Sequence, residues 1–327
     1  MMSETSSRKE CHAEFRHPIS GERLMRDRGG DLCNQQGKVI FEQHEGSFDF
    51  VSDAESLEER EHYDQEYSDG GWATKESLDS VDFHKLWDLD VSSSEYLQSM
   101  GDVAGKRVLL IGNGTSVKEF FFVRLGAHVT FTDLSFQAVE YAKRRYNESR
   151  FGNDYPAGCE FHAVNAYHLP FMDNSFDIIC ADAVIHHMDD LKALFIGIHR
   201  CLKLGGICRF ADTAYSPIWQ SAKRGVLRPL QKSVHEKDGI SPEDKKATNR
   251  GGYTRDELDQ IRVQLGFKSL YYKRVALFDY LLWRARCKLN AQWLLAFRPT
   301  ARLVDRLIAR TSIMERQGIA LVLGFDR

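Results

Sequence analysis

The sequence predicts an α/β fold in which a parallel sheet is covered by helices on both faces, with a small β-rich segment ahead of it. Three observations carry this. Strand-like and helix-like stretches alternate from Lys106 onward. The first strand runs into Gly112-Asn113-Gly114, and the second ends on Asp133.

Residues before about Phe50 read as short strands and turns, because Pro18, Gly21, Gly29, Gly30, Gly37 and Gly46 recur too often for a helix. From Ala54 to Met100 the chain is acidic, with Tyr63, Tyr67, Trp72, Phe83 and Trp87 spaced as helices that lay an aromatic stripe on a neighbour. The alternating part then reads VLLIG, VKEFFFVRLG, HVTFTD, FQAVEYAKRRY, CEFHAVNA, FDIICADA, DLKALFIGIHRCLK and GGICRFADT. Ala214 to Tyr253 is polar with few apolar anchors and reads as an insertion. YTRDELDQIRVQLGF is a helix capped near Thr254 and stopped at Gly266, with a strand after it from about Lys268 to Leu277. Basic helices from Asp279 to Arg316 precede a last apolar strand, Gly318 to Phe325, suited to burial on both faces.

Composition sets the limits. The 327 residues allow one large core with a small appended module. Seven scattered cysteines without paired CxxC spacing argue against a disulfide framework and point to a reducing, cytoplasmic compartment. No signal peptide or spanning helix is read, since no window reaches the apolar length a bilayer requires. The net charge of -3 hides an asymmetry. Phe48 to Glu95 is strongly acidic, whereas Lys268 to Arg316 is strongly basic. The acidic front argues against nucleic acid as a partner. The basic, apolar stretch 279–316 fits an interfacial contact with a membrane better than a span.

The chemistry-bearing residues gather at strand ends. Glycines at 112 and 114 let backbone amides approach a ligand, and an aspartate 21 residues after Gly112 can accept from both hydroxyls of a ribose. That pairing alone suits a nicotinamide dinucleotide as well as an adenosyl sulfonium. The motifs downstream of it separate the two: Asn165-Ala166-Tyr167-His168-Leu169-Pro170-Phe171-Met172-Asp173-Asn174-Ser175-Phe176-Asp177, then His186-His187-Met188-Asp189-Asp190, then Leu202-Lys203-Leu204-Gly205-Gly206. In this order they resemble the class I S-adenosylmethionine-dependent methyltransferases, over about residues 106 to 213.

The resemblance implies a Rossmann-like seven-stranded sheet, whose last strand enters antiparallel between the fifth and sixth, and S-adenosylmethionine as cofactor. It implies cofactor contacts at Gly112, Asn113, Gly114, Asp133, Leu134, Asn165, Ala166 and Tyr63, with Tyr67 beside the last. Asp182, His186 and His187, at the end of the fourth strand, are the candidates for catalysis, a histidine being suited to take a proton from the acceptor. Three positions depart from the pattern: Asn165 stands where Asp is more common, Leu110 where an acid is common, and Ser116 replaces the third glycine. Ser116-Val117-Lys118-Glu119 reads as a capping box opening the next helix.

Residues 15 to 50 resemble a small zinc ribbon of the tRNA-methyltransferase-activator type in degenerate form, with His17, Ser20, Cys33 and Gln36 at the knuckle positions. Ser and Gln are poor zinc donors, so no metal is expected. The expected domains are thus a ribbon-like module at 1–50, a helical cap or linker at 51–100, and a methyltransferase domain at 101–327 with insertions at 214–253 and 279–316. The expected reaction is methyl transfer to an oxygen or nitrogen of a small or amphiphilic acceptor, such as a natural-product, quinone or glycolipid precursor. The alternative is a protein or peptide methyltransferase, or a scaffold that binds a partner through the ribbon.

Overall fold

The computed structural model describes residues 14–68, 77–84, 91–154, 158–214, 216, 253–282 and 292–327. Most of the insertion read at 214–253, the Trp72 and Trp87 positions, and the stretch 283–291 lie outside them. The chain divides into two compact units, residues 1–81 with 103–177 and residues 82–102 with 178–327.

The first unit holds the front half of the α/β pattern. Strands β5 (Arg107–Ile111), β6 (His128–Asp133) and β7 (Cys159–Ala163) pair in parallel, and β4 (Phe48–Asp49) pairs in parallel on the other side of β7. Parallel strands are buried on both faces, and the run Val108–Ile111 is correspondingly buried along its length. Helix α1 covers Ala54–Ser68, α2 belongs to the second unit at Val91–Met100, α3 covers Phe120–Arg124, α4 covers Phe136–Asn147 and the single turn α5 covers Phe151–Asp154. Phe120, Phe131 and Phe161 form a stacked column, with centroids 4.6 and 5.1 Å apart, that locks α3 to the sheet. Each such buried ring is worth roughly 1.5–3 kcal/mol.

The expected capping box does not form. The turn from Asn113 to Ser116 closes on itself, Ser116 N donating to Asn113 O, and the helix begins only at Phe120. Ser116 Oγ instead donates to the Glu119 carboxylate at 2.5 Å, so this pair ties the loop rather than caps a helix. The reason is local: the N–H groups of Phe120, Phe121 and Phe122 bond to the carbonyls of Val117, Lys118 and Glu119, so tight three-residue turns and not a full α-helical turn precede Phe120.

The front strands β1 (Met25–Arg26), β2 (Leu32–Cys33) and β3 (Val39–Phe41) make a three-stranded antiparallel sheet. They do not form a unit of their own. Phe15, Phe48, Phe50 and Phe171 cluster round the buried His162, whose Nδ1 accepts the backbone N–H of Phe48 at 3.1 Å. Phe15 also forms an isolated antiparallel bridge with Phe171, and the short β4 beside β7 is a strand beyond the seven expected.

The second unit runs β8, β9, β11, β10, where β8 is Phe176–Asp182, β9 Leu202–Thr213, β10 Ser269–Val275 and β11 Ala320–Asp326. The division between units falls inside β8, after Asp177. β11 is antiparallel to both neighbours, as the family resemblance implied. Helix α6 (Leu191–Cys201) and helix α7 (Arg255–Leu265) pack on this half. Thr254 and Glu257 form the capping box of α7, and Gly266 closes it at a φ of 76°, a left-handed conformation that favours glycine. The molecule is therefore an α/β protein of Rossmann-like type with a small antiparallel sheet in front.

Candidate functional site

In the first unit, the end of β5 and the end of β6 are tied together by one carboxylate. Asp133 Oδ2 accepts the Gly114 N–H at 2.7 Å and Oδ1 accepts the Ser135 N–H at 2.9 Å. Asp133 is 8% exposed, and burial pushes its carboxyl up to about 6. Each oxygen keeps lone-pair capacity beyond its one backbone donor, which suits it to a ligand bringing two hydroxyl donors. Asn113 is also buried; its Nδ2 donates to Gly114 O and Ser116 O, while its Oδ1 has no hydrogen-bond partner among the described residues. A buried acceptor without a donor is costly unless a ligand supplies one.

Helix α1 is fastened over this corner by a charged side chain that the sequence reading did not single out. Asp64 accepts from the Ser135 hydroxyl and from Gln137 N–H at 3.3 Å, and Arg60 braces it at 3.1 Å while also holding Asp49 at 2.6 Å. Tyr63 and Tyr67 stack on that helix at 6.5 Å. The Tyr67 hydroxyl lies against Gly114, where a Cβ would meet it at 2.9 Å, and Gly114 has a φ of 53°. Gly114→Ala should therefore lower stability by about 1–2 kcal/mol, chiefly through the left-handed backbone. Denaturant midpoints of Gly114→Ala with and without Tyr67→Phe separate that strain from the contact, and an unchanged midpoint in both would refute it.

Asn165 and Ala166 come directly after β7. Asn165 Oδ1 accepts the Tyr167 N–H at 2.8 Å and its Nδ2 donates to Ser56 Oγ at 2.6 Å, which fixes the amide orientation. Ala166 is buried, and Leu134 and Gly112 are half-buried.

In the second unit, Asp182 ends β8 half-buried, and Ala183 after it has a φ of 57°, its N–H held by Ala211 O at 2.8 Å. The turn Ile185–His187 carries the two histidines, their rings 4.0 Å apart. His186 Nδ1 lies 2.8 Å from Asp212 Oδ1, and Asp212 Oδ2 accepts the His186 backbone N–H at 3.0 Å. Because a carboxylate only accepts, Nδ1 carries the proton and the ring's basic nitrogen is Nε2. Tyr253 shares its hydroxyl proton between Ile185 O and Met188 O, at 3.1 and 3.0 Å, and so holds the turn. Asp212 and Tyr253 were not legible as site residues; the only hint was an acid near the end of the fifth strand.

Residues 109–210 match the family described as a methyltransferase domain. Among curated relatives, the demethylmenaquinone methyltransferase of Tropheryma whipplei strain Twist is 29% identical over 191 residues, 57% of this chain and 76% of that enzyme. Phosphoethanolamine N-methyltransferase 1 of Arabidopsis thaliana is 29% identical over 133 residues, 40% of this chain but only 26% of its own length. Among solved structures, the Haemonchus contortus phosphoethanolamine N-methyltransferase 2 in complex with S-adenosyl-L-methionine has a TM-score of 0.47 at 19% identity, over 72% of this chain and 51% of that one. The domain match and the named relatives support a methyltransferase of the S-adenosylmethionine-dependent kind. Among the described residues no group of three or more His, Cys, Asp or Glu could hold a metal ion, and no helix is long and apolar enough to cross a membrane.

Proposed function

We propose that the enzyme methylates an oxygen or nitrogen of a small or amphiphilic acceptor, such as a quinone, natural-product or glycolipid precursor, and that His186 removes the proton the acceptor gives up. The observation that carries this is the 2.8 Å pair of His186 and Asp212. A histidine whose Nδ1–H is held by a carboxylate has a fixed tautomer, and its imidazolium is stabilised by the adjacent negative charge. The names of the relatives, which speak of demethylmenaquinone and phosphoethanolamine, fit acceptors of this size.

S-adenosylmethionine supplies an electrophilic methyl group on a positively charged sulfur. The chain's own work is alignment and proton removal. Asp133 would take the ribose hydroxyls, Asn165 and Ala166 the adenine edge, and Gly112, Asn113 and Gly114 the methionine part. Leu110 is buried inside the sheet and offers no charge, so the bare Oδ1 of Asn113 is the acceptor available for an ammonium group. Leu134 and Tyr63 would wall the adenosine. His186 Nε2 would take the proton of the acceptor's oxygen or nitrogen as the methyl group leaves the sulfur for that atom and S-adenosylhomocysteine departs, and Asp212 would hold the ring in place.

The test is transfer of labelled methyl from S-adenosylmethionine to a panel of phenols, quinols and phosphoamines, repeated with His186→Gln and Asp212→Asn. Loss of a general base should lower kcat about 100-fold or more, with S-adenosylhomocysteine affinity unchanged. In Asp212→Asn, the acid limb of the pH–rate profile should move. A drop of less than about threefold in His186→Gln would remove the base from the mechanism, and label found only in added protein would remove the small acceptor.

A further inference from the structure

Helix α8 (Arg298–Ile308) carries its charges inward and its leucines outward, the reverse of an ordinary surface helix. Arg298 donates from Nε and Nη2 to the two oxygens of the buried Asp279, at 2.7 and 2.8 Å, and Arg302 adds a contact at 3.4 Å. Asp305, also buried, accepts the backbone N–H groups of Phe278 and Asp279 at 2.9 and 3.0 Å. Positions 298, 302 and 305 share one face, so these ionic contacts pin that face to the corner after β10. Leu303 and Leu307 lie about half a turn round the helix, on the far side, and Leu307 is 73% exposed.

The neighbouring segments extend the same character. The single turn Gln292–Phe297 exposes Trp293, at 67%, and Phe297, with rings edge to face at 6.1 Å. Helix α9 (Ser312–Gln317) exposes Ile313. Exposed cations stand among these apolar groups at Arg306 and Arg310. From Gln292 to Met314 the one acidic residue is Asp305, which is turned inward, and the exposed Glu315 that follows on α9 lies 3.8 Å from Arg255. Exposed Trp, Phe and Leu with arginine between them, and no exposed acid before the paired Glu315, suit an anionic bilayer surface: rings and leucines enter the headgroup boundary, and guanidinium groups meet lipid phosphates. A soluble protein partner would be expected to meet such a surface with acids, whereas a neutral apolar groove would leave the arginines desolvated.

We propose that the surface built from 292–314 docks this enzyme on anionic lipid membrane, through Trp293, Phe297, Leu303, Leu307 and Ile313 with Arg306 and Arg310. The surface holds whichever acceptor is used, since binding to vesicles is scored without methyl transfer. The experiment is sedimentation of the full chain with phosphatidylcholine vesicles, with and without phosphatidylglycerol, at two salt concentrations. The protein should bind the anionic vesicles at least about tenfold more tightly than the neutral ones, and less in high salt. Leu303→Asp with Leu307→Asp should cost at least about tenfold. Arg306→Glu with Arg310→Glu should lose the preference for anionic lipid. Circular dichroism and S-adenosylhomocysteine binding check that both variants remain folded, as expected for exposed positions. The proposal fails if the chain ignores anionic vesicles, or if the folded leucine variant binds them as the parent does. It also fails if the parent is a dimer that this variant disperses, because the face then belongs to a second copy.

Discussion

Asp133→Asn should weaken S-adenosylhomocysteine binding by about 2–4 kcal/mol and abolish its dependence on pH between 5 and 7. The carboxylate is expected to take two ribose hydroxyls while it accepts Gly114 and Ser135 N–H groups, so the amide loses charge-assisted bonds and offers a donor where acceptors are needed. Burial raises its pKa from 3.8 to about 6. A carboxyl so raised holds its proton more tightly folded than unfolded. Stability therefore falls as pH rises from about 4 to 6, and the cost of the buried charge is carried fully above that window. Hydroxyl donors favour the ionised form, so ligand binding should strengthen as pH rises through 6 and level off near 7. Below 6 the affinity should fall toward tenfold per pH unit. Calorimetry at pH 5, 6 and 7 reads both effects, and a parent affinity flat across that range would remove Asp133 from the site.

Ending the chain at Phe278 should leave insoluble protein. The missing part contains β11, which lies between β9 and β10 and pairs with each along its whole length. Residues Ala320 to Phe325 are buried, and Phe325 packs on Phe195 and Phe267 at 4.8 and 4.6 Å. Its loss strips two strand edges and opens a core, which invites pairing between chains. Gly324→Val probes the same strand without truncation. A Cβ there would stand 1.9 Å from the Cys208 carbonyl oxygen, a contact with backbone that no rotamer relieves. The expected loss is about 3 kcal/mol or more. A soluble truncated protein that binds S-adenosylhomocysteine, or a Gly324→Val chain of parental stability, would show that β11 is not structurally central.

The sequence by itself determined the order of strands and helices, the place of the glycine turn and of Asp133, and the buried character of the last strand. Each of these is written locally: strand hydrophobicity has a short period, turns need particular residues, and Gly318 to Phe325 is uniformly apolar because both its faces are covered. The capping of α7 was legible for the same reason, since Thr254 and Glu257 are three residues apart. The identical spacing at Ser116 and Glu119 misled, because there the two side chains pair with each other and tight turns run up to a helix that begins only at Phe120. Only the tertiary structure brought Asp212 to His186, Asp64 to Ser135, Tyr67 to Gly114 and Phe48 to His162, pairs separated by 26, 71, 47 and 114 positions. Contacts at such distances leave no periodic trace in one sequence; they exist because buried polar groups must find partners wherever the fold happens to put them.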